Sequence, residues 1–297
     1  MKFSILSADH TVSKICFGCE ALGGQDWGKV NLKEIEFALE RALDLGVNFL
    51  DTADVYGLGL SEKRIAKILG PRRFDVIIAT KGGVEWHKRT KGRARTSFNS
   101  SVSHIRKSVE NSLDRLKLET IPIYYIHWPD PNTEIKATFE LLSRLQLEGK
   151  IGKIGCSNFS IDQIREASEV SDLSIIQMPI NLLIGELSES YKTLCKDNKL
   201  SIVAYNSLAS GMLTGKFSKD STFFNNDRRS RLPLFQGKKF KSSLESVAKL
   251  ESKAKKEGIT LSQYAIKWTL NNDFVKSVIV GIKNSDQAEE NISAVTQ

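Results

Sequence analysis

Short apolar runs rich in β-branched residues alternate along this chain with longer stretches in which apolar positions recur every three or four residues. Residues 14–17 read as a first strand, after which Leu32, Ile35, Leu39, Ala42 and Leu43 fall on one helix face, with Asn31 at the N-cap and Gly46 just past the end. A strand at 47–50 and a helix at 61–69 follow, then a strand at 76–80 and a helix face marked by Val102, Ile105, Val109, Leu113 and Leu116. Residues 121–126 form the next apolar run, and Ile135, Leu142 and Leu145 mark a helix that stops at Gly149. A strand at 153–156 leads into Ser160-x-x-Gln163, a capping-box start. Strands at 175–178 and 201–205 flank a helix near 188–196. Two helical stretches, 244–257 and 261–270, the second opened by Thr260-x-x-Gln263, precede a strand at 277–280 and a helix at 287–295.

Eight strands alternating with helices predict a parallel sheet with helices packed outside. Eight such units in 297 residues, with no linker rich in Pro, Gly or Ser, predict one closed (β/α)8 TIM barrel spanning 1–297 as a single domain. An open doubly wound sheet is the competing topology and needs a glycine fingerprint after the first strand. That position reads Gly18-Cys19-Glu20-Ala21-Leu22-Gly23-Gly24, and Gly57-Leu58-Gly59 lacks a third glycine at the required spacing. Segment 212–243 breaks the alternation. It is basic and aperiodic, contains Phe223-Phe224-Asn225-Asn226, and is expected as a long loop after strand seven, lying over the barrel mouth.

Composition narrows the function classes. Charged residues are 26% and hydrophobic residues 40%, an ordinary soluble balance. No apolar run reaches the ~20 residues of a membrane span. Met1-Lys2-Phe3-Ser4-Ile5 lacks a signal peptide's long apolar region, so a cytoplasmic protein without a membrane partner is expected. Four cysteines make no disulfide framework. Cys16-x-x-Cys19 has no second Cys/His pair at zinc spacing, so no metal is expected; Cys16 reads as a core residue and Cys19 as a loop thiol. The net charge of +8 suits an anionic partner. Its basic residues come in clusters: Lys88-Arg89 with Lys91, Arg93 and Arg95; Arg228-Arg229 with Arg231; Lys238-Lys239 with Lys241. No nucleic-acid motif surrounds them, and they are expected as solvated loops, although a phosphate-bearing substrate would also suit the first cluster.

Candidate chemistry sits at the strand ends, where a barrel of this type carries its active site. Asp51 and Tyr56 follow strand two, Lys81 strand three, His127 strand four, and Ser157 and Asn158 strand five; Gln177 lies in strand six and Tyr205 ends strand seven. An ammonium beside a phenol lowers the phenol's pKa, and a carboxylate beside a buried ammonium keeps it charged. Tyr56, Lys81 and Asp51 therefore read as a phenol poised to protonate a developing alkoxide, with His127 as a second contact to the substrate oxygen. A Schiff-base role for Lys81 is the alternative. Protonating a carbonyl oxygen requires a hydride at carbon, which no side chain supplies, so a nicotinamide cofactor is implied. Ser157, Asn158 and Gln177 suit its carboxamide and the Tyr205 ring its nicotinamide face. Trp27, Trp86 and Trp128, all in loops after strands, are candidate walls of a substrate pocket.

With these residues in view, the chain resembles the aldo-keto reductases from about Lys14 to its end. The resemblance rests on Asp51-Thr52-Ala53-Asp54-Val55-Tyr56-Gly57, Thr80-Lys81, Tyr124-Tyr125-Ile126-His127, Gly155-Cys156-Ser157-Asn158-Phe159 and Gly281-Ile282-Lys283. It implies a catalytic tetrad of Asp51, Tyr56, Lys81 and His127, and carboxamide contacts at Ser157, Asn158 and Gln177. It also implies a stacking aromatic at Tyr205 and a loop at 205–216, including Leu208, Gly211 and Lys216, over the cofactor pyrophosphate. Lys283, beside Gly281, matches the family's 2′-phosphate contact, with Asn284, Gln287, Glu290 and Asn291 around the adenosine. The implied activity is NADPH-dependent reduction of an aldehyde or ketone, with a polar, sugar-derived or phosphorylated carbonyl as the expected substrate. The alternative is a cofactor-binding regulatory protein like the potassium-channel β subunits of the same family; the intact tetrad and the lack of an N-terminal extension favour the enzyme. Asn206-Ser207 replaces the family's usual Ser-Pro and is expected to leave the backbone there less fixed. Ile180 stands where an aromatic often precedes the strand-six Asn. The chain ends at Gln297, where relatives usually carry a longer, pocket-shaping tail.

Overall fold

The protein, described by a computed structural model over residues 1–87 and 94–296, closes eight parallel strands into a barrel. In chain order the strands are β1 (Ile15–Gly18), β2 (Phe49–Asp51), β3 (Ile77–Gly82), β4 (Ile121–Ile126), β5 (Ile151–Ser157), β6 (Leu173–Pro179), β7 (Ser201–Tyr205) and β8 (Val275–Gly281). Each pairs with the next, and β8 pairs with β1 through Val280↔Phe17 and Gly281↔Gly18, so no edge is left open. Around them lie α1 (Leu32–Asp44), α2 (Leu60–Leu69), α3 (Val102–Leu116), α4 (Ile135–Leu147), α5 (Ile161–Ser168) and α6 (Glu189–Asp197), with α7 (Gly237–Lys256), α8 (Leu261–Leu270) and α9 (Ser285–Ser293). Both expected capping boxes are present, on α5 and α8. Asn31 occupies the N-cap of α1 but its side chain bonds Glu34 Oε1 at 3.0 Å instead of a backbone amide. Among the described residues no helix is long and apolar enough to cross a membrane.

Period-two alternation sets the contents of the barrel. Cys16, Phe49, Ala79, Ile123, Tyr125, Ile175 and Val203 form a buried cluster of their own, separate from the larger one under the helices. Two residues beyond several of these positions lie Asp51, Lys81, His127, Gln177 and Tyr205, so the next layer up, at the C-terminal ends, is polar. Gly155 admits the Tyr125 ring: a Cβ on Gly155 would stand 2.3 Å from that ring. Asp51 and Ser157 are the last residues of their strands, and Lys81 lies inside β3, which runs two residues beyond the expected end.

Three features depart from the alternation read in the sequence. An N-terminal hairpin, Phe3–Ser7 paired with His10–Ser13, reaches the start of β7, where Ser201 Oγ donates to Leu6 O at 2.8 Å, and adds Leu6 and Val12 to the interior cluster. A second hairpin, Val84–Trp86 with Thr96–Phe98, rises after β3. The expected long loop is shorter than its sequence suggests, because α7 begins at Gly237 and short 3₁₀ turns occupy Ala209–Thr214, Arg228–Arg231 and Pro233–Phe235. Phe217, Phe223, Phe235 and Phe240 pack edge-on there into a small core against α7 and α8. Cys16 is a buried core residue, and Cys19, in the loop after β1, is a free thiol that is buried as well.

Candidate active site

Lys81 and Asp51 form an ion pair buried in the barrel, with Nζ 2.5 Å from Oδ1 and side chains 2% and 4% exposed. Lys81 Nζ also donates to Thr52 O at 2.8 Å. The second carboxylate oxygen of Asp51 accepts from Gln177 Nε2 at 2.5 Å, so a cation from β3 and an amide from β6 satisfy one acid. Tyr56 stands above this pair: Lys81 Nζ is 5.2 Å from its ring centroid. His127 meets the same ring edge-on, with centroids 5.8 Å apart. Four residues from β2, the loop after it, β3 and the end of β4 thus converge within one contact shell.

The electrostatics differ in one respect from the sequence reading. Burial, with the negative charges of Glu20 and Asp51, pushes the Tyr56 phenol well above its ordinary pKa; the expected lowering by Lys81 is not seen. Burial is the largest of these causes. Tyr56 therefore keeps its proton at neutral pH. Burial pushes the His127 imidazole well below its usual value, helped by the positive charges of Lys81 and Arg228, so this ring is neutral. Its Nδ1 is buried without a hydrogen-bond partner.

On the opposite side of the mouth, Asn158 takes a left-handed backbone with φ of 65°. Its Nδ2 donates to His127 O at 2.9 Å and Ser157 Oγ at 3.0 Å, and its Oδ1 accepts from Tyr205 OH at 2.6 Å. Asn206 corrects an expectation of looseness. It adopts φ of 56°, its Oδ1 accepts from Ser210 N at 2.7 Å, and its carbonyl accepts from Asn181 Nδ2 at 3.0 Å. A short polar side chain that tolerates the left-handed region fixes this turn without a proline.

Beyond Tyr205 the cations gather. Lys283, Lys216 and Arg229 feel one another's charge; burial first, then that repulsion, lowers Lys283 to about 8 and also lowers Lys216. Lys283 Nζ donates to Trp27 O at 3.2 Å and lies 5.5 Å from the Trp27 ring. Arg229 is held by Asp227 and by the rings of Trp27, Phe217 and Phe223. Arg228 pairs with Glu20 at 2.6 Å and Arg231 with Asp26 at 3.0 Å. A residue bridge between Trp27 and Asp227 completes a strap joining the loops after β1 and β7. Partly buried cations in excess of their acids make a ready anion site. Gln287 Oε1 accepts from the Lys283 amide at 3.0 Å, and Asn291 is buried in α9. Glu290, on the same helix, offers its carbonyl to Gln263 Nε2 at 3.3 Å. Leu208 and Gly211 lie in the turn after β7, and the glycine's free face points at the Lys216 side chain.

The three tryptophans separate. Trp27 packs with the cationic strap, its ring near Arg228 and Lys283. Trp128, 40% exposed, stacks on Phe98 of the second hairpin at 5.9 Å, and Trp86 lies on the same hairpin. A cavity of about 370 Å³ opens beside Asn158, walled by Trp128, Phe159, Met178, Ile184 and Tyr191. Of the basic cluster after β3, Arg95 is described, whereas Lys88, Arg89, Lys91 and Arg93 lie outside the described residues. Sequence reasoning missed Glu20, Asp26 and Asp227 as partners of the strap, and Phe98. The available signal was charge complementarity between the acidic first loop and the Arg228 cluster.

The aldo/keto reductase family model matches residues 14–297. The aldo-keto reductase YhdN of Bacillus subtilis is 36% identical over 96% of this chain and 86% of its own length. The NADH-specific methylglyoxal reductase of Escherichia coli is 30% identical over 99% and 93%. Among solved structures, the glycerol dehydrogenase AKR11B4 from Gluconobacter oxydans superposes with a TM-score of 0.89 at 32% identity, covering 99% of this chain and 90% of that one.

Proposed function

The chain belongs to the aldo/keto reductase family, and from that premise we propose that it reduces an aldehyde or ketone to an alcohol with NADPH, Tyr56 being the general acid. The observation that carries this reading is the Tyr56–Lys81–Asp51–His127 arrangement, in which the phenol keeps its proton and the imidazole is neutral.

A bound nicotinamide cofactor supplies the hydride. Tyr56 gives its proton to the carbonyl oxygen as negative charge grows there. Lys81, fixed by Asp51, stabilises the phenolate left behind. In the tautomer with its lone pair on the enclosed Nδ1, neutral His127 would donate from Nε2–H to the same oxygen. Asn158 and Ser157 supply polar groups to the cofactor carboxamide. Gln177 has committed its amide nitrogen to Asp51 and keeps its carbonyl oxygen for an incoming N–H. The hydrogen bond from Tyr205 to Asn158 fixes the ring that stacks on the nicotinamide. Leu208, Gly211 and Lys216 would hold the pyrophosphate, Lys283 would take the 2′-phosphate, and Asn284, Gln287, Glu290 and Asn291 would contact the adenosine. The substrate is a small polar carbonyl, sugar-derived or phosphorylated, since the Arg228 charge reaches Tyr56 and His127 at the mouth.

Steady-state oxidation of NADPH against aldehydes, ketones and sugars, with phosphorylated and unphosphorylated partners matched, tests the reading. Turnover supports the enzyme. Tight cofactor binding without turnover on any member supports the cofactor-binding regulatory alternative.

Cofactor choice has its own test. Lys283→Met is expected to weaken NADPH at least tenfold while changing NADH binding little, as titrations followed by tryptophan fluorescence would show; equal weakening would place the 2′-phosphate elsewhere. A phosphate favours the charged lysine, whose free-state pKa is about 8. NADPH affinity should therefore be full below that pH and fall toward tenfold per unit above it, whereas NADH affinity stays flat.

A further inference from the structure

Behind the active-site loop lies a buried polar cluster that the chemistry above does not use. Asp54 and Glu62 are both fully buried. Glu62, on α2, accepts from Arg115 Nε at 2.6 Å and from Thr80 Oγ1 at 2.7 Å, so its charge is answered. Among the described residues no cation is bonded to Asp54; the Arg115 charge and the Val55 backbone offset its burial only in part. Its Oδ2 accepts from Ser108 Oγ of α3 at 3.2 Å, and its Oδ1 is buried without a partner. The groups facing it are Glu62 from α2, Arg115 and, through Ser108, His104 from α3, and Tyr124 from β4. The Tyr124 hydroxyl is likewise buried and unpaired. It crowds the same spot: a Cβ on Gly82 would stand 2.0 Å from that hydroxyl and 3.1 Å from Ser108 Cβ.

One guanidinium therefore faces two enclosed acids and is bonded to only one of them. A second anion there would be uncompensated, and such a group takes up a proton instead. The residue also sits where it governs the loop. Asp54 N donates to Lys81 O at 3.1 Å and Thr52 N to Ala79 O at 2.8 Å, so the chain leaves β2 still paired to β3. Two residues on, Tyr56 N donates to Ala53 O at 3.1 Å, placing the phenol directly on this tethered turn.

We propose that Asp54 is a positioning residue for Tyr56, a neutral carboxylic acid whose tie to Ser108 locks the loop from Asp51 to Tyr56 against α3. The kinetic half rests on the reductase reading above; the protonation half does not. The carboxyl's pKa is raised well above the usual carboxylate range, by burial first and by Glu62 second. The folded protein then holds a proton that the unfolded chain releases above about pH 4. Stability from this group is full below that pH and is lost as pH rises toward the folded value.

The test compares Asp54→Asn, Asp54→Ala and Ser108→Ala in the whole protein. A protonated-carboxyl infrared band should persist at pH 8, where ordinary carboxyls are ionised, and vanish in Asp54→Asn, which also flattens the fall of stability with pH. Asp54→Ala should lose at least tenfold in kcat with the Kd for NADPH unchanged. Asp54→Asn, isosteric and neutral, should restore turnover to within about threefold, and Ser108→Ala should fall between. If Asp54→Ala does not fold, the other two variants decide. If wild-type protein reduces no carbonyl, the NMR shift of the Tyr56 ring replaces kcat, displaced in Asp54→Ala and retained in Asp54→Asn. Absence of the band, or an Asp54→Asn variant as impaired as Asp54→Ala, overturns the proposal.

Discussion

Replacing Tyr56 by Phe is expected to abolish turnover while leaving NADPH binding close to wild type. The substitution removes one oxygen and keeps the ring that meets His127 and Lys81, so the mouth should stay packed. What disappears is the proton donor. General acid catalysis typically contributes about 10²–10⁴-fold. His127 is neutral and donates a hydrogen bond, which stabilises an alkoxide without delivering a proton at comparable driving force. Steady-state kinetics beside fluorescence titration would check both halves. Near-normal kcat would move the acid to another residue.

Lys81→Met should be costly twice. The ion pair is almost wholly enclosed, and removing one member leaves the other charge uncompensated, a loss typically of about 3–5 kcal/mol. Urea unfolding at pH 7 should register it as a lower midpoint. Turnover should fall with it, since the phenolate loses its nearest cation. The double variant Asp51→Asn, Lys81→Met separates the two effects: it should recover most of the stability, because no lone charge remains, and none of the activity. A single variant as stable as wild type would mean that the pair contributes little to the fold.

The barrel and the convergence of polar groups were legible in the sequence for one physical reason. The strands are short and largely buried, and several end in a residue that would be expensive to bury without a partner. Asp51, Lys81 and Gln177 satisfy one another from three strands, a cooperation visible as three separate anomalies in the apolar pattern. Elements stabilised by long-range contacts were not legible. The N-terminal hairpin was not read as an element, because what anchors it is long-range: Leu6 and Val12 join the interior cluster. The first turns of α7 carry Lys238, Lys239 and Lys241 and show little periodicity; Phe240, packed on Phe223 and Phe235, anchors them. Glu20 and Arg228 are 208 residues apart, and nothing local announces their pairing. The direction of the Tyr56 shift was misjudged because spacing shows that a cation is near but not how far burial takes the phenol out of water.

The most direct measurement is a single turnover: wild-type protein and Tyr56→Phe, each carrying one equivalent of bound NADPH, mixed with an excess of a carbonyl that the wild type accepts, with cofactor oxidation followed in time. The account predicts rapid oxidation in the wild type and, in the variant, cofactor that stays bound and reduced over the same period. Equal rates in the two proteins would contradict it, since the proton would then come from a group other than Tyr56.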